Sequence, residues 1–281
     1  AKYNARTIPY IMESEIVPHS SFSARCLHQL RLFFVALQFF TRIPVPRWVG
    51  FDEKWLQHAS RYFPAVGIVV ALATIIVYII ASLLWTQSIA VLLSTIAGIY
   101  LTGAFHEDGF ADTCDGLGGG ATPERALEIM KDSRIGAYGA IGIGLMLALK
   151  WMALSSLPSP AVVSALLIAH PLSRLAAISL VWRMEYAKAN GKAKPIAQEM
   201  SNQEFGIAAG TTLLPIALLC LTGLLPVSGV ACGILFAALA AFWLARMFQR
   251  RIAGYTGDTL GAVQQVTEVA FYLGVLTVIT H

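Results

Sequence analysis

The sequence predicts an all-α, polytopic integral membrane helical bundle of about seven transmembrane helices, preceded by an N-terminal interfacial or re-entrant helix. Three observations carry that prediction. The 281 residues are 57% hydrophobic and only 13% charged, with a mean hydropathy of +0.66, roughly half the charge that covers an ordinary soluble domain. Apolar runs of about 20 residues, the length that crosses a hydrocarbon layer of about 30 Å, recur along the chain. The charged residues gather in alternate connections rather than in all of them. The four cysteines, Cys26, Cys114, Cys220 and Cys232, form no CxxC pair, so neither a zinc site nor a disulfide framework is signalled.

In chain order, residues 1–25 read as a polar tail, expected to be poorly ordered and lacking the long apolar core of a signal peptide. Residues 26–281 read as one membrane-embedded domain. Residues 27–41 contain FFVALQFF, too short to span, and Pro44 and Pro46 stop any helix that follows. An interfacial or re-entrant helix fits that stretch. Spanning segments are predicted at 62–84, 88–105, 136–157, 160–182, 206–225, 229–247 and 263–280.

Charge placement supports that count. The connections near Thr86, 155–160 and 226–229 contain no charged residue, while the others carry Arg42, Arg47, Lys54 and Arg61, then Arg125, Lys131 and Arg134, then Arg183, Lys188, Lys192 and Lys194, then Arg246, Arg250 and Arg251. By the positive-inside rule these connections face the cytoplasm, which predicts a multi-pass protein of the inner membrane. Inside the spans stand Lys150, Arg174 and Glu268, and charge in a bilayer is costly enough to suggest a role. Lys150, beside Trp151, is expected to snorkel to the interface. Arg174, one turn after His170, shares its helical face and is a candidate for substrate binding. Glu268 either pairs with another span or lines the same cavity.

The stretch 106–120, HEDGFADTCDGLGGG, departs from this oily background by holding Glu107, Asp108, Asp112 and Asp115, four of the sixteen acidic residues. In a helix, Asp112 lies about 40° from Asp108 and Asp115 about 20° to the other side, so three carboxylates share one stripe while Glu107 points away. Such a stripe repels itself unless a cation joins it. Magnesium takes few carboxylates, keeps waters and completes its shell with phosphates, so the site, placed within 106–136, reads as a metal-bridged phosphate or diphosphate centre. Arg134, Lys131, Arg42 and Arg47 are available to balance phosphate charge. A solvated acidic loop is the plain alternative; the facial spacing and the scarcity of acids elsewhere argue against it. The GLGGG run is expected to break the helix, and it lacks the GK[ST] ending of a phosphate-binding loop. Thr122 and Pro123 then open an amphipathic helix, and Gly136, Ala140 and Gly144 form a small-residue stripe suited to helix packing and to self-association into a homo-oligomer.

The strings FFTRIPVP, RYFPAVG, HEDGFADTCDG, LEIMKDSRIGAYG and TGDTLGA, in that order from about Phe33 to the last span, closely resemble the cobalamin synthase family, the adenosylcobinamide-GDP ribazoletransferases. The tail and the extra acid Glu107 depart from the family pattern without touching the shared carboxylates. The resemblance implies a magnesium-dependent membrane enzyme of late vitamin B12 assembly. It implies the joining of adenosylcobinamide-GDP with α-ribazole, or its 5′-phosphate, to give adenosylcobalamin, or its 5′-phosphate, and GMP. Carried over by position, Asp108, Asp112 and Asp115 are the expected metal ligands and catalytic residues. Asp258, in TGDTLGA, joins them as a catalytic candidate beside its plain reading as a helix cap. Arg134, Lys131, Arg42, Arg174 and His106 are the expected substrate-binding residues; His106 also has an ordinary structural reading. The lipid bilayer is the expected partner, and nucleic acid is not. Taken without the resemblance, the same chemistry suits a membrane prenyltransferase or CDP-alcohol phosphotransferase. A transporter using Asp108, Glu268 and Arg174 would call for repeated halves, which the sequence lacks.

Overall fold

The structure, a computed structural model, describes residues 22–50, 52–187 and 200–280. The expected tail through residue 21, with Lys188, Lys192 and Lys194, lies outside the described residues. The first helix, α1 (Phe22–Phe40), ends before Pro44 and Pro46, whose rings cannot continue it. It buries Leu32, Val35, Ala36, Leu37 and Phe40 against α2 (Glu53–Ala59) and α3 (Phe63–Ser82). Then follow α4 (Gln87–Thr102), α5 (Phe105–Gly119), α6 (Pro123–Met130), α7 (Ala137–Ser155), α8 (Ser159–Arg183), α9 (Asn202–Thr222), α10 (Val227–Ile252) and α11 (Gly257–Thr280). Among the described residues there is no strand; Tyr186 and Tyr255 form an isolated bridge between the α8–α9 and α10–α11 connections.

Among the described residues, six helical stretches are long and apolar enough to cross a membrane: Trp55–Ser82, α7, α8, α9, α10 and α11. A seventh exists if α4 and α5, bent by 89° at their junction, count as one. The expected span 88–105 is therefore the exception to a straight reading, since α4 has only 16 residues, short of the roughly 20 a crossing takes. The chain turns because Gly103 and Ala104 both take left-handed backbone, at φ 68° and 60°. For Ala104 that conformation costs about 1–2 kcal/mol.

Helices α8 and α11 are the most enclosed of the spans. Leu72, Ile76, Ile141, Leu145, Leu214, Leu218, Leu239 and Phe242 turn outward on α3, α7, α9 and α10, as a lipid-facing belt requires. At the other extreme of polarity, Ser201 and Glu204 close a capping box at the start of α9. Glu204 also receives Arg61 at 2.5 Å and His58 at 2.8 Å, fixing α9 to the foot of the first span.

The three in-span charges meet in the bundle centre. Lys150 Nζ lies 2.5 Å from Glu268 Oε1; Gln264 Nε2 donates to Glu268 Oε2 at 2.6 Å, and the Tyr272 hydroxyl to Oε1 at 3.0 Å. His170 stands 3.5 Å from the same carboxylate, and Arg174 Nη1 donates to the His170 carbonyl at 2.9 Å. Lys150 does not snorkel: only 7% of its side chain is exposed, because Glu268 offers inside the bundle what the interface would offer outside it.

Candidate active site

Helix α5 is polar but lies among helices, packed on α11, α7 and α6. It reaches α11 closely because Gly109 and Gly261 face each other; a Cβ at Gly109 would sit 2.9 Å from the Asp258 carbonyl oxygen. The GLGGG run does not break the helix, which continues to Gly119. Arg251 explains the difference, since its Nη2 donates to the carbonyls of Leu117 at 2.9 Å and Gly120 at 2.8 Å and so serves the orphan acceptors of the last turn. The glycines admit protein rather than a ligand: Gly116 and Gly120 lie against Met130 and Ala126 of α6, and Gly118 against the Tyr138 ring. Thr122 caps α6 as the sequence predicts, accepting from Arg125 N at 3.3 Å.

The expected stripe of three carboxylates divides. Asp115 is buried, with Oδ2 accepting the Gly136 N–H at 2.6 Å and Oδ1 the Gly139 N–H at 2.8 Å. Both oxygens thereby serve the first turn of α7, where a carboxylate also suits the positive helix end. The packing stripe of α7 is consequently Gly136, Gly139 and Gly142, which meet Asp115 and Cys114 of α5, while a Cβ at Gly144 would meet no other helix among the described residues within 4 Å. Asp115→Asn is expected to cost about 1–3 kcal/mol, because its amide nitrogen would oppose one of those N–H donors. A lowered thermal unfolding midpoint in detergent would record this.

Asp108 and Asp112 remain open, the first exposed and the second half-buried. Asp258, half-buried in the first turn of α11, joins them: the charges of Asp108, Asp258 and Asp115 all act on Asp112, and that of Asp108 on Asp258. Among the described residues no salt bridge engages Asp108, Asp112 or Asp258. Nor do three or more His, Cys, Asp or Glu side chains there converge closely enough to hold a metal ion unaided.

The expected cations take varied places. Arg42 is exposed at the α4–α5 bend, its guanidinium 5.1 Å from the Tyr100 ring centre and its backbone N–H on the Leu101 carbonyl. Lys131 is exposed at the end of α6. Arg134 holds Asp132 in a two-point bond at 3.0 and 2.6 Å, and this bond lowers the Asp132 carboxyl to about 2. Arg174 and His106 are buried, His106 stacked on Phe40 with ring centres 5.5 Å apart. Neither belongs to the acid cluster. Sequence reasoning missed Gln265, which donates to Glu107 at 2.9 Å and anchors α5 to α11; two adjacent amides, Gln264 and Gln265, inside an apolar span were the available signal.

Beside the acid cluster lies an apolar cleft of about 260 Å³, walled by Phe39, Phe40, Phe63, Phe105, Tyr186 and Tyr255 and bordered on α11 by Gly257, Leu260 and Gly261. Burial raises the Tyr186 hydroxyl, and the charge of Asp258 adds to the effect. Burial likewise pushes Tyr255 up to about 12, with Tyr186 contributing. Both walls are therefore neutral near pH 7. The site thus joins an open carboxylate group to an aromatic recess across the start of α11.

A family model described as cobalamin-5-phosphate synthase matches residues 32–276. The adenosylcobinamide-GDP ribazoletransferase of Shewanella frigidimarina is 48% identical over 262 residues, covering 90% of this chain and 96% of that relative. Those of Leptothrix cholodnii and Shewanella piezotolerans are 46% and 45% identical, each over 89% of this chain and over 97% and 96% of their own lengths. No solved structure matches the chain. With a match that spans every helix from within α1 to within α11, and with relatives aligned over nearly their whole length, the chain belongs to the cobalamin-5-phosphate synthase family.

Proposed function

We propose that this chain joins adenosylcobinamide-GDP with α-ribazole, or its 5′-phosphate, to give adenosylcobalamin, or its 5′-phosphate, and GMP. The observation that carries the reading is the meeting of Asp108 and Asp112 of α5 with Asp258 of α11, in a chain of this family. In the reaction a ribose hydroxyl oxygen of ribazole forms a bond to the cobinamide-linked phosphorus. The bond from that phosphorus to the bridging oxygen breaks, and its electron pair leaves with GMP. The hydroxyl proton passes to a carboxylate, for which Asp258 is suited because Asp115 has both oxygens engaged.

Asp108 and Asp112 would hold magnesium. Their donor set fits: hard carboxylate oxygens, open to solvent and without an ion-pair partner among the described residues, suit an ion that uses one or two carboxylates beside water and phosphate. When bound, magnesium offsets charge on the phosphate oxygens. Asp115 acts in this reading as a positioning residue that holds α7 on α5. Arg42 and Lys131, both exposed, would meet the remaining phosphate charge, and Arg134 would do so only by giving up Asp132. We place the site on the cytoplasmic side of the inner membrane, because Arg251 at the end of α10 binds the end of α5 and basic residues gather there.

The test is GMP release by purified protein in detergent or liposomes, given both substrates. Release that stops on magnesium removal by a chelator and returns on its addition supports the reading. No release in any condition from folded protein overturns it.

A further inference from the structure

We propose that the aromatic cleft beside Asp258 is the subsite for the acceptor's base, taking an apolar bicyclic heterocycle and directing the attached ribose toward the carboxylates. This rests on the transferase reading above, which assigns no place to either substrate's rings. Pockets that enclose a whole drug-sized molecule run about 300–1,000 Å³, so a cleft of about 260 Å³ suits one bicyclic base and excludes a corrin macrocycle.

Chemistry separates the three remaining ring systems, the guanine and the adenine of the donor and the base of the acceptor. Guanine and adenine each carry several donors and acceptors along their edges, and an apolar wall of phenylalanine rings would leave most of them without partners. The base of ribazole, a benzimidazole, presents two apolar faces and one free ring nitrogen. Its faces match rings set at steep angles, as between Phe40 and Phe63 at 79° and Tyr186 and Tyr255 at 88°. Its nitrogen matches the polar side of the cleft, where Arg174 and Gln264 border it. Both are almost wholly buried, and among the described residues Arg174 Nε has no hydrogen-bond partner, nor has Gln264 Oε1.

Position supplies the last link. Gly257, Leu260 and Gly261 border the cleft, and Asp258 lies between them in the same turn and a half of α11. Asp258 itself is not in the lining, but its charge acts on the Tyr186 hydroxyl of the cleft wall, so a nucleoside with its base in the cleft can direct its sugar toward that carboxylate.

The test fills the cleft from two helices, with Ala177→Phe on α8 and Leu260→Phe on α11. Binding of labelled α-ribazole is measured by equilibrium dialysis without the donor, and the KM of each substrate by GMP release. The expected result is about tenfold weaker ribazole binding and a matching rise in acceptor KM, with the donor KM unchanged, in at least one variant whose unfolding midpoint equals that of the wild type. An equal rise in donor KM overturns the proposal, and so do unchanged values for both substrates, which would leave the cleft to a lipid chain. Wild-type protein that binds no ribazole overturns the transferase reading and this one with it, whereas wild-type binding that both fillings preserve overturns the subsite alone.

Discussion

Asp108→Asn is expected to lower the rate of GMP release about 10³-fold, the scale of losing one electrostatic element from a transition state, while the unfolding midpoint stays where it is. The side chain is exposed and in no ion pair among the described residues, so its removal costs the fold little. What it loses is a full negative charge from a group that no cation among the described residues compensates by an ion pair. If Asp108 and Asp112 together hold magnesium, the variant should also need more of the metal to reach half its residual rate. The contrast with Asp115→Asn is the informative part. A loss in stability there, beside a loss in rate alone at Asp108, separates the residue that builds the site from the one that works in it. Equal rates for Asp108→Asn and the wild type would remove α5 from the chemistry.

The pairing of these roles was only half legible in the sequence. Helical period placed Asp108, Asp112 and Asp115 on one face, and hydropathy located the apolar helices, all but the short α4 being long enough to span, because both are local properties of the chain. Which stripe member would be consumed by a neighbour is not local. Asp115 is taken by Gly136 and Gly139, more than twenty residues away, and no spacing rule reports that. The same limit explains the glycine run: in isolation GLGGG terminates a helix, but Arg251 from α10 serves its last carbonyls. Asp258 shows the opposite case. Its motif was visible, its cap reading was equally visible, and only the approach of Gly109 to Gly261 brought it beside Asp108.

Breaking the Lys150–Glu268 pair is expected to cost about 3–5 kcal/mol, the penalty for leaving one buried charge without its partner. Glu268→Gln should be the harsher change. It strands the Lys150 ammonium, only 7% exposed, with no other carboxylate among the described residues bonded to it. Lys150→Met leaves Glu268 its bonds from Gln264 and Tyr272 and its approach to His170, so part of the charge is still served. The double variant, Lys150→Met with Glu268→Gln, removes both charges and should recover much of the loss, a coupling that thermal unfolding of the four proteins in one detergent would measure. Additive losses would mean that the two groups hold the bundle independently. The network spans α7, α8 and α11, and those helices carry the groups that define the site: α7 receives Asp115, α8 lines the aromatic cleft, and α11 presents Asp258. A pair this deep in an apolar bundle fixes the register of three helices along which simple hydrophobic packing would permit sliding. Loosening it should therefore reduce GMP release even at temperatures where the double variant remains folded.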